Sequence, residues 1–467
     1  MNWNRAFRYT GFIGSTVCGV CLAKTCAKSY NIVGTVSAEA AESDSQSQGG
    51  TEDQDRLAGL KLRQVHVYFR HGARTPLHVI PGVEEATYTR DMLRIPSHFD
   101  FKHQAQFLPD MKPRGDYSDF EEHYKKTTLK GGAYAGNLTT YGQQQTYDLG
   151  QQLRQAYVHT HRLMTNYHPE DVFVQSTNIN RTIESLCCVM AGLFGRDNLN
   201  RCGVVKIPVS TTDDEVLFPN PHKCSVLRKV NHAAMVHFDN IPGVTEDRKL
   251  VEKALGYKGE KGLSFVFMRD DLIARITAGY RIPEKLQPYM QMIDDNATKL
   301  LYFAMCGQHD AERPIVTRLA AGPALNLMMQ GMEKVERGEK APKMSLYSTH
   351  DSTMIALLEA TGLFDWQWPP FAADLRMELY QDKGEQLWVR VLYLGQPRTI
   401  RGCSGPVCRL SEFQESMKPY IIARGPEYDE ICASDIVEKI AASLVQHEQD
   451  EVETPEMKEI SEIPAGM

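Results

Sequence analysis

The sequence lacks an excess of positive charge. It holds 52 Lys and Arg against 59 Asp and Glu, which gives a formal net charge of -7 at pH 7. This balance argues against nucleic acid as a partner, because nucleic-acid binding needs a basic surface. An anionic substrate must therefore be attracted by a local cationic pocket. With 42% hydrophobic residues over 467 positions, the chain can still bury a sizeable core.

Two further absences narrow the class of protein. No group of Cys and His residues has the spacing of a zinc site, so we expect no metal and no other cofactor. No apolar run of about 20 residues lies near the carboxyl end, which disfavours a membrane anchor there. Residues 448–467 instead predict an acidic tail.

The amino-terminal segment is typical of a targeting leader followed by a linker. Residues 1–37 carry four basic and no acidic side chains, and their apolar stretch is too short and glycine-rich for a membrane span. We expect mitochondrial import, with a secretory signal or anchor and a disordered tail as alternatives. Residues 38–56 are dense in Glu, Asp, Ser, Gln and Gly and predict a disordered acidic linker. The folded domain is expected over 57–435.

Eight cysteines lie in the expected domain. An even number permits disulfides without requiring them. Cys403 and Cys408 flank Gly405 and Pro406, which could turn the chain back on itself. A disulfide between them is one interpretation, and two reduced thiols in a loop is the other.

Short β-branched or aromatic runs predict strands over 62–69, 171–177 and 343–349. Apolar residues at helical spacing predict a helix after the first strand, capped by Thr139 or Thr140, and a helix after the second that ends at Gly195. This alternation favours an α/β fold with a mostly parallel central sheet flanked by helices.

Two stretches interrupt the alternation of strands and helices. Residues 78–136 and 196–335 are expected to form a largely helical cap beside the sheet. Further along, two alternating apolar runs joined by residues 382–385 predict a β-hairpin.

Unusual polar residues follow each of the three predicted strands. They are Arg70, His71 and Arg74 after the first strand, Arg181 after the second, and His350 and Asp351 after the third. Ligands of open α/β sheets bind beyond the carboxyl ends of the strands. We therefore expect these six side chains to converge on one site.

The cations of this group suit a phosphate monoester. Planar guanidinium groups bind phosphate oxygens bidentately through charge-assisted hydrogen bonds. Arg70, Arg74 and Arg181 are expected to bind the phosphate, with His350 as a further donor.

The remaining two side chains suggest how the ester is cleaved. Neighbouring cations disfavour protonation of His71, which leaves a neutral nitrogen able to attack phosphorus and form a phosphohistidine. Gly72 permits the sharp turn that presents the ring. Asp351 is expected to protonate the leaving oxygen and later to accept a proton from water.

The stretch YFRHGARTP at 68–76 resembles the RHGxRxP signature of the histidine acid phosphatases, and THDST at 349–353 resembles their distal His-Asp element. The resemblance implies a phosphoglycerate-mutase-like fold and a metal-independent phosphomonoesterase. It also implies that His71 is the nucleophile and Asp351 the proton donor, with the other four residues of the group as phosphate ligands.

Longer stretches, among them TTLKGGAYAGNLTTYG and WPPFAADLRMELYQ, resemble the branch of this family that hydrolyses lysophosphatidic acid. This implies release of monoacylglycerol and phosphate in a mitochondrial setting. We expect a monomer that acts on a lysophospholipid or another phosphomonoester, with peripheral membrane contact as an open question.

Nine apolar residues could line a groove for the acyl chain or could simply cover the sheet: Val79, Ile80, Met92, Leu93, Ile95, Phe99, Phe101, Phe107 and Leu108.

Three other functions compete with this interpretation. A phosphomutase shares the histidine nucleophile but needs a closed pocket that retains a phosphorylated intermediate. A lipid-binding protein without activity predicts the loss of at least one catalytic group, and none is lost. An acid phosphatase of other small phosphomonoesters also fits the six residues.

Overall fold

The computed structural model of the protein describes residues 57–115 and 118–440. The predicted leader, linker and acidic tail lie outside the described residues. In the described part, ten strands form one sheet: β1 Lys61–Arg70, β2 His103–Phe107, β3 Lys112–Pro113, β4 Val172–Ser176, β5 Val205–Val209, β6 Met344–Thr349, β7 Asp374–Gln381, β8 Leu387–Tyr393, β9 Gln396–Arg398 and β10 Val407–Arg409.

Twelve α-helices lie within the same described residues. They are α1 Asp119–Lys125, α2 Thr140–Leu153, α3 Asn180–Phe194, α4 Arg196–Arg201, α5 Ser225–His237, α6 Val244–Leu255, α7 Phe265–Thr277, α8 Met290–Cys306, α9 Arg313–Glu336, α10 Asp351–Thr361, α11 Leu410–Met417 and α12 Pro426–Ala433. None of the described helices combines the length and the apolar composition that a membrane crossing requires.

The central part of the sheet is parallel, as predicted. The strand order is β10-β8-β7-β1-β6-β4-β5-β2-β3, with β9 beside β8. Strands β1, β6, β4, β5 and β2 run parallel to one another, whereas β7 pairs antiparallel with β1 and β8, and the remaining strands pair antiparallel with β8 or β2. The three predicted strands correspond to β1, β4 and β6, and β6 lies between the other two.

The pairing of these three strands places their carboxyl ends at one level. Arg70 of β1 pairs with Thr349 of β6, and Ser176 of β4 pairs with Ser348 of β6. The chain segments that follow the three strands therefore leave the sheet side by side.

Helices cover both faces of the sheet. Helix α2 begins after Thr139, whose side chain accepts a hydrogen bond from the Gly142 backbone N–H, and α3 ends before Gly195, which has a φ of 79°. Both helix boundaries confirm the sequence prediction. Helices α2 and α3 bury one apolar core against the sheet, while α8, α9 and α10 contribute to a second core.

The two segments predicted as cap are only partly helical. Strands β2 and β3 lie within 78–136 and β5 lies within 196–335, and all three extend the central sheet. The sequence of β2, HQAQF, is polar and its first two residues are exposed, so it lacks the apolar run that reveals a buried strand. The helices within these two segments are α1, α4 to α8 and nearly all of α9.

Two disulfides occur among the described residues. Cys403 bonds to Cys408, which confirms the first of the two interpretations of this pair. Cys224 bonds to Cys432 across a sequence separation of 208 residues, joining the start of α5 to α12. Sequence reasoning missed the second disulfide because no local turn brings these two cysteines together.

Candidate active site

The loop after β1 is fixed by backbone contacts with α2 and α3. A Cβ atom on Gly72 would lie 2.1 Å from the Gly142 carbonyl oxygen, and one on Gly142 would lie 2.0 Å from the Ala73 carbonyl oxygen. The Gly72 backbone N–H also donates to Ser185 Oγ of α3 at 3.1 Å. The predicted need for glycine at position 72 therefore has a defined cause, which is the direct backbone contact with α2.

His71 is fully enclosed and its ring has a defined tautomer. Its Nδ1 lies 2.8 Å from the Gly72 carbonyl oxygen, and because a carbonyl only accepts hydrogen bonds, Nδ1 carries the proton. The lone pair of Nε2 is therefore available. Burial first, and then the charges of Arg181, Arg70 and Arg74, hold the pKa of His71 well below its usual range.

The three predicted phosphate-binding arginines surround His71 and are all buried. Arg181 lies in the first turn of α3, and its Nε and Nη1 atoms are buried without a hydrogen-bond partner among the described residues. The Nε atoms of Arg70 and Arg74 are likewise buried and without a partner in that part of the chain. Buried guanidinium donors without acceptors are costly, so this group is well suited to an anion.

Two carboxylates partly neutralise the arginines. Arg70 Nη2 lies 2.8 Å from Asp351 Oδ2, and Arg74 Nη2 lies 2.8 Å from Asp270 Oδ1. Asp351 was predicted to lie in the site, whereas Asp270 was not. Arg70 and Arg74 therefore each have one internal anionic partner, whereas no ion pair is found for Arg181 in the described part of the chain.

Asp351 is ionised in the free site. Burial opposes its ionisation, but Arg70, Arg74 and His350 outweigh burial and lower the pKa of Asp351 to about 2. Asp351 is also the first residue of α10, where the helix dipole favours a negative charge. Its Oδ2 accepts a hydrogen bond from Trp368 Nε1 at 3.1 Å.

His350 lies beside His71 as predicted. The two ring centroids are 5.6 Å apart with an interplanar angle of 70°. His350 Nε2 is 3.0 Å from Thr177 Oγ1, which in turn is 2.7 Å from Thr182 Oγ1. Thr177 follows β4, so the hydroxyl that orients the His350 ring comes from the neighbouring strand.

The cap adds groups to the site that sequence reasoning missed. Arg269 and Asp270 of α7 line a cavity of about 120 Å³ together with Arg70, Arg74 and Asp351. In sequence they are two charged residues in a helix, which usually indicates a solvated face. Only the packing of the cap directs both side chains toward the sheet.

The same cavity has apolar walls. They are formed by Leu77, Val266, Phe267, Ile273, Leu301, Trp368 and Phe371. None of the nine residues considered for an acyl groove is among them. Ile80, Phe101 and Phe107 instead belong to or pack against the two cores, in agreement with the alternative that such residues cover the sheet.

The described residues contain no group of His, Cys, Asp or Glu side chains that could hold a metal ion. The positive charge in the site is supplied by arginine side chains.

A known protein family matches the part of the chain that contains the six predicted site residues. A family model described as "Histidine phosphatase superfamily (branch 2)" matches residues 61–253 and 291–394. Lysophosphatidic acid phosphatase type 6 of Homo sapiens is 34% identical over 389 residues, which cover 82% of this chain and 88% of that protein. Prostatic acid phosphatase of Rattus norvegicus is 25% identical over 304 residues, or 61% of this chain and 78% of that protein.

Solved structures with a similar fold include two phytases. The Hafnia alvei phytase in complex with tartrate gives a TM-score of 0.51 at 14% identity, covering 78% of this chain and 98% of that chain. The Citrobacter braakii phytase gives a TM-score of 0.51 at 15% identity, covering 78% of this chain and 100% of that chain. At this level of identity the similarity concerns the fold alone.

Proposed function

Because the chain belongs to branch 2 of the histidine phosphatase superfamily and is a phosphoric monoester hydrolase, we propose that it hydrolyses lysophosphatidic acid through a phosphohistidine on His71. The membership confirms the resemblance found in the sequence. The proposal depends on one observation above all: a buried imidazole with a free Nε2 lies among three buried arginines.

In the first step, Arg70, Arg74 and Arg181 hold the phosphoryl group while His71 Nε2 attacks phosphorus. The bond from phosphorus to the ester oxygen breaks, and that oxygen leaves as an alcohol after it receives a proton from Asp351. A neutral imidazole is required, and the lowered pKa of His71 keeps it neutral even in acid.

Asp351 needs a proton that it does not hold in the free site, since its pKa is about 2. The substrate can supply it, because a phosphomonoester has a second pKa of about 6 and binds in acid as a monoanion. Asp351 then protonates the leaving oxygen and, as a carboxylate, takes a proton from the water that attacks the phosphohistidine. This sequence suits an enzyme that works in acid.

The lipid substrate is supported by two independent observations. The cavity beside Asp351 combines a cationic end with apolar walls, which fits a phosphate joined to a short polar linker and an acyl chain. The relative with 34% identity over most of both chains is a lysophosphatidic acid phosphatase.

We also propose an oxidising compartment for the mature protein, on the basis of the two disulfides. Mitochondrial import stays the proposed route, since the resemblance to the lysophosphatidic acid phosphatases implies it and the basic leader is compatible with it. A secretory route is the alternative that the disulfides favour.

A hydrolysis panel on one purified preparation tests the substrate. Lysophosphatidic acids, phosphatidic acid, phytate, a phosphotyrosine peptide and sugar phosphates are compared by free phosphate release. We expect the highest kcat/KM for lysophosphatidic acid. Equal or faster release from the water-soluble esters would instead favour the second candidate, a general acid phosphatase, which the similarity to prostatic acid phosphatase supports.

A further inference from the structure

Arg269 lies on the side of the cavity where the leaving alcohol must be. Trp368 Nε1 donates to Asp351 Oδ2 at 3.1 Å, and the guanidinium carbon of Arg269 lies 4.2 Å from the centroid of the Trp368 ring. A single indole therefore joins Asp351 to Arg269. Because Asp351 is the group that protonates the leaving oxygen in the proposed reaction, the atoms attached to that oxygen lie beside this indole.

The guanidinium of Arg269 has donors to spare. Its Nε donates to Asp294 Oδ1 at 2.6 Å, and Asp294 is its one ion-pair partner in the described part of the chain. The residue is only 6% exposed, yet it lines the cavity. A buried guanidinium that faces a cavity favours an acceptor within that cavity.

The neighbouring groups limit what this acceptor is. The phosphate is already held by the three arginines around His71, and Asp270, next to Arg269, repels a second anion. A neutral acceptor is therefore favoured. In an acyl glycerol phosphate, the ester carbonyl is the strongest neutral acceptor beyond the glycerol carbons, and the apolar chain begins directly after it.

We propose that Arg269 is a specificity-determining residue that binds the ester carbonyl of an acylated leaving alcohol. This deepens the proposed lipid function and rests on it. Leu77, Ile273 and Leu301 then contact the first carbons of the acyl chain. The Asp294 pair and the Trp368 ring hold the guanidinium in one orientation, which lets it recognise a planar ester rather than attract any acceptor in the cavity.

The test compares two substrates that differ at the carbonyl alone. An acyl lysophosphatidic acid and its ether analogue of equal chain length, in which a methylene group replaces the carbonyl, are assayed by phosphate release. We expect the parent enzyme to prefer the acyl lipid by about tenfold in kcat/KM, since a charged donor binds the carbonyl. In Arg269→Gln the ratio should fall to about one. A purely structural role would slow both lipids equally and leave the ratio at about ten.

The chain offers a matched control in the same cap. Arg248 also pairs with an aspartate, Asp239, and lies 5.5 Å from the centroid of the Phe265 ring, but it does not line the cavity. Arg248→Gln should keep the preference of the parent enzyme. If Arg269→Gln does not fold, Arg269→Met serves instead, because it keeps an unbranched apolar stem and loses every hydrogen-bond donor. A preference for the acyl lipid that is unchanged in Arg269→Met overturns the inference.

The outcomes separate the two proposals. If the parent enzyme hydrolyses neither lipid but hydrolyses water-soluble esters, the lipid function is wrong and the role of Arg269 with it. If both lipids are hydrolysed but the parent enzyme shows no preference, or Arg269→Gln keeps the preference, the lipid function stands and the role of Arg269 is wrong.

Discussion

The site consists of two halves that differ in origin. The sheet half comes from the ends of β1, β4 and β6 and from the first turns of α3 and α10. The other half, called the cap half here, comes from α7 of the cap and from the loop at 362–373, which follows α10 and packs beside α7 in the cavity wall. The sheet half contains the proposed nucleophile, its arginines and the proposed acid. The cap half contains an arginine, a carboxylate and three aromatic rings beside the leaving-group side.

The different origins of the two halves suggest that they have different functions. The positions of the sheet half follow from strand pairing, as the alignment of Arg70 with Thr349 illustrates, so these groups are held close to one another by the sheet. The cap half depends on how a helical segment packs over the sheet. We infer that the sheet half determines the reaction and the cap half determines which alcohol leaves.

Removing the nucleophile from the sheet half should have the largest effect. His71→Ala should lower kcat by about 10⁵-fold, because no other group replaces the attacking nitrogen. Vanadate and inorganic phosphate should still bind, since the three arginines remain. Binding is measured by protection against thermal unfolding, with His98→Ala, outside the cavity, as the control. Rapid hydrolysis by the His71 variant would show that the nucleophile is misassigned.

Removing the proposed acid should have an effect that depends on the leaving group. Asp351→Asn should cost about 10² to 10³-fold on an alkyl phosphate, since the alkoxide leaves without a proton, but less than about tenfold on an activated aryl phosphate. The measurement is kcat for the two esters. An equal loss on both would remove the general-acid role from Asp351.

Replacing Asp270, the carboxylate of the cap half, should give the smallest effect of the three variants. Asp270→Asn removes the internal anion from Arg74, while the amide oxygen can still accept the Leu77 N–H that now donates to Asp270 Oδ2 at 2.6 Å. Inorganic phosphate should inhibit about five- to tenfold more strongly, because Arg74 no longer has to share its charge. Unchanged or weaker inhibition would mean that Asp270 does not compete with phosphate for Arg74.

The sheet half could be predicted from sequence because its signals are local. Each of β1, β4 and β6 contains a short β-branched or aromatic run, and the polar residues lie at its end or shortly after it. One rule, that ligands bind at the carboxyl ends of parallel strands, then brings them together. The structure places all six predicted residues around one point. Their chemical roles stay predictions until the variants are measured.

The cap half could not be predicted because the positions of its side chains depend on tertiary packing, which no local sequence pattern reveals. Arg269 and Asp270 lie in the middle of α7, and the direction in which they point depends on the packing of α7 against α8 and the sheet. Trp368 lies in a stretch that resembles the family, but the sequence does not reveal its contact with Asp351. The apolar residues at 79–108 left two interpretations open for a related reason, which is that apolar character does not reveal which surface a side chain covers.

The backbone contact between Gly72 and Gly142 limits how such an enzyme can diversify. Neither position has room for any larger residue, so the His71 ring cannot be repositioned by substitution at either glycine. New substrates must then be acquired by altering the cap, while the phosphoryl-transfer machinery is inherited unchanged. A designer who wants a different specificity from this scaffold should therefore diversify α7 and leave the turn after β1 untouched.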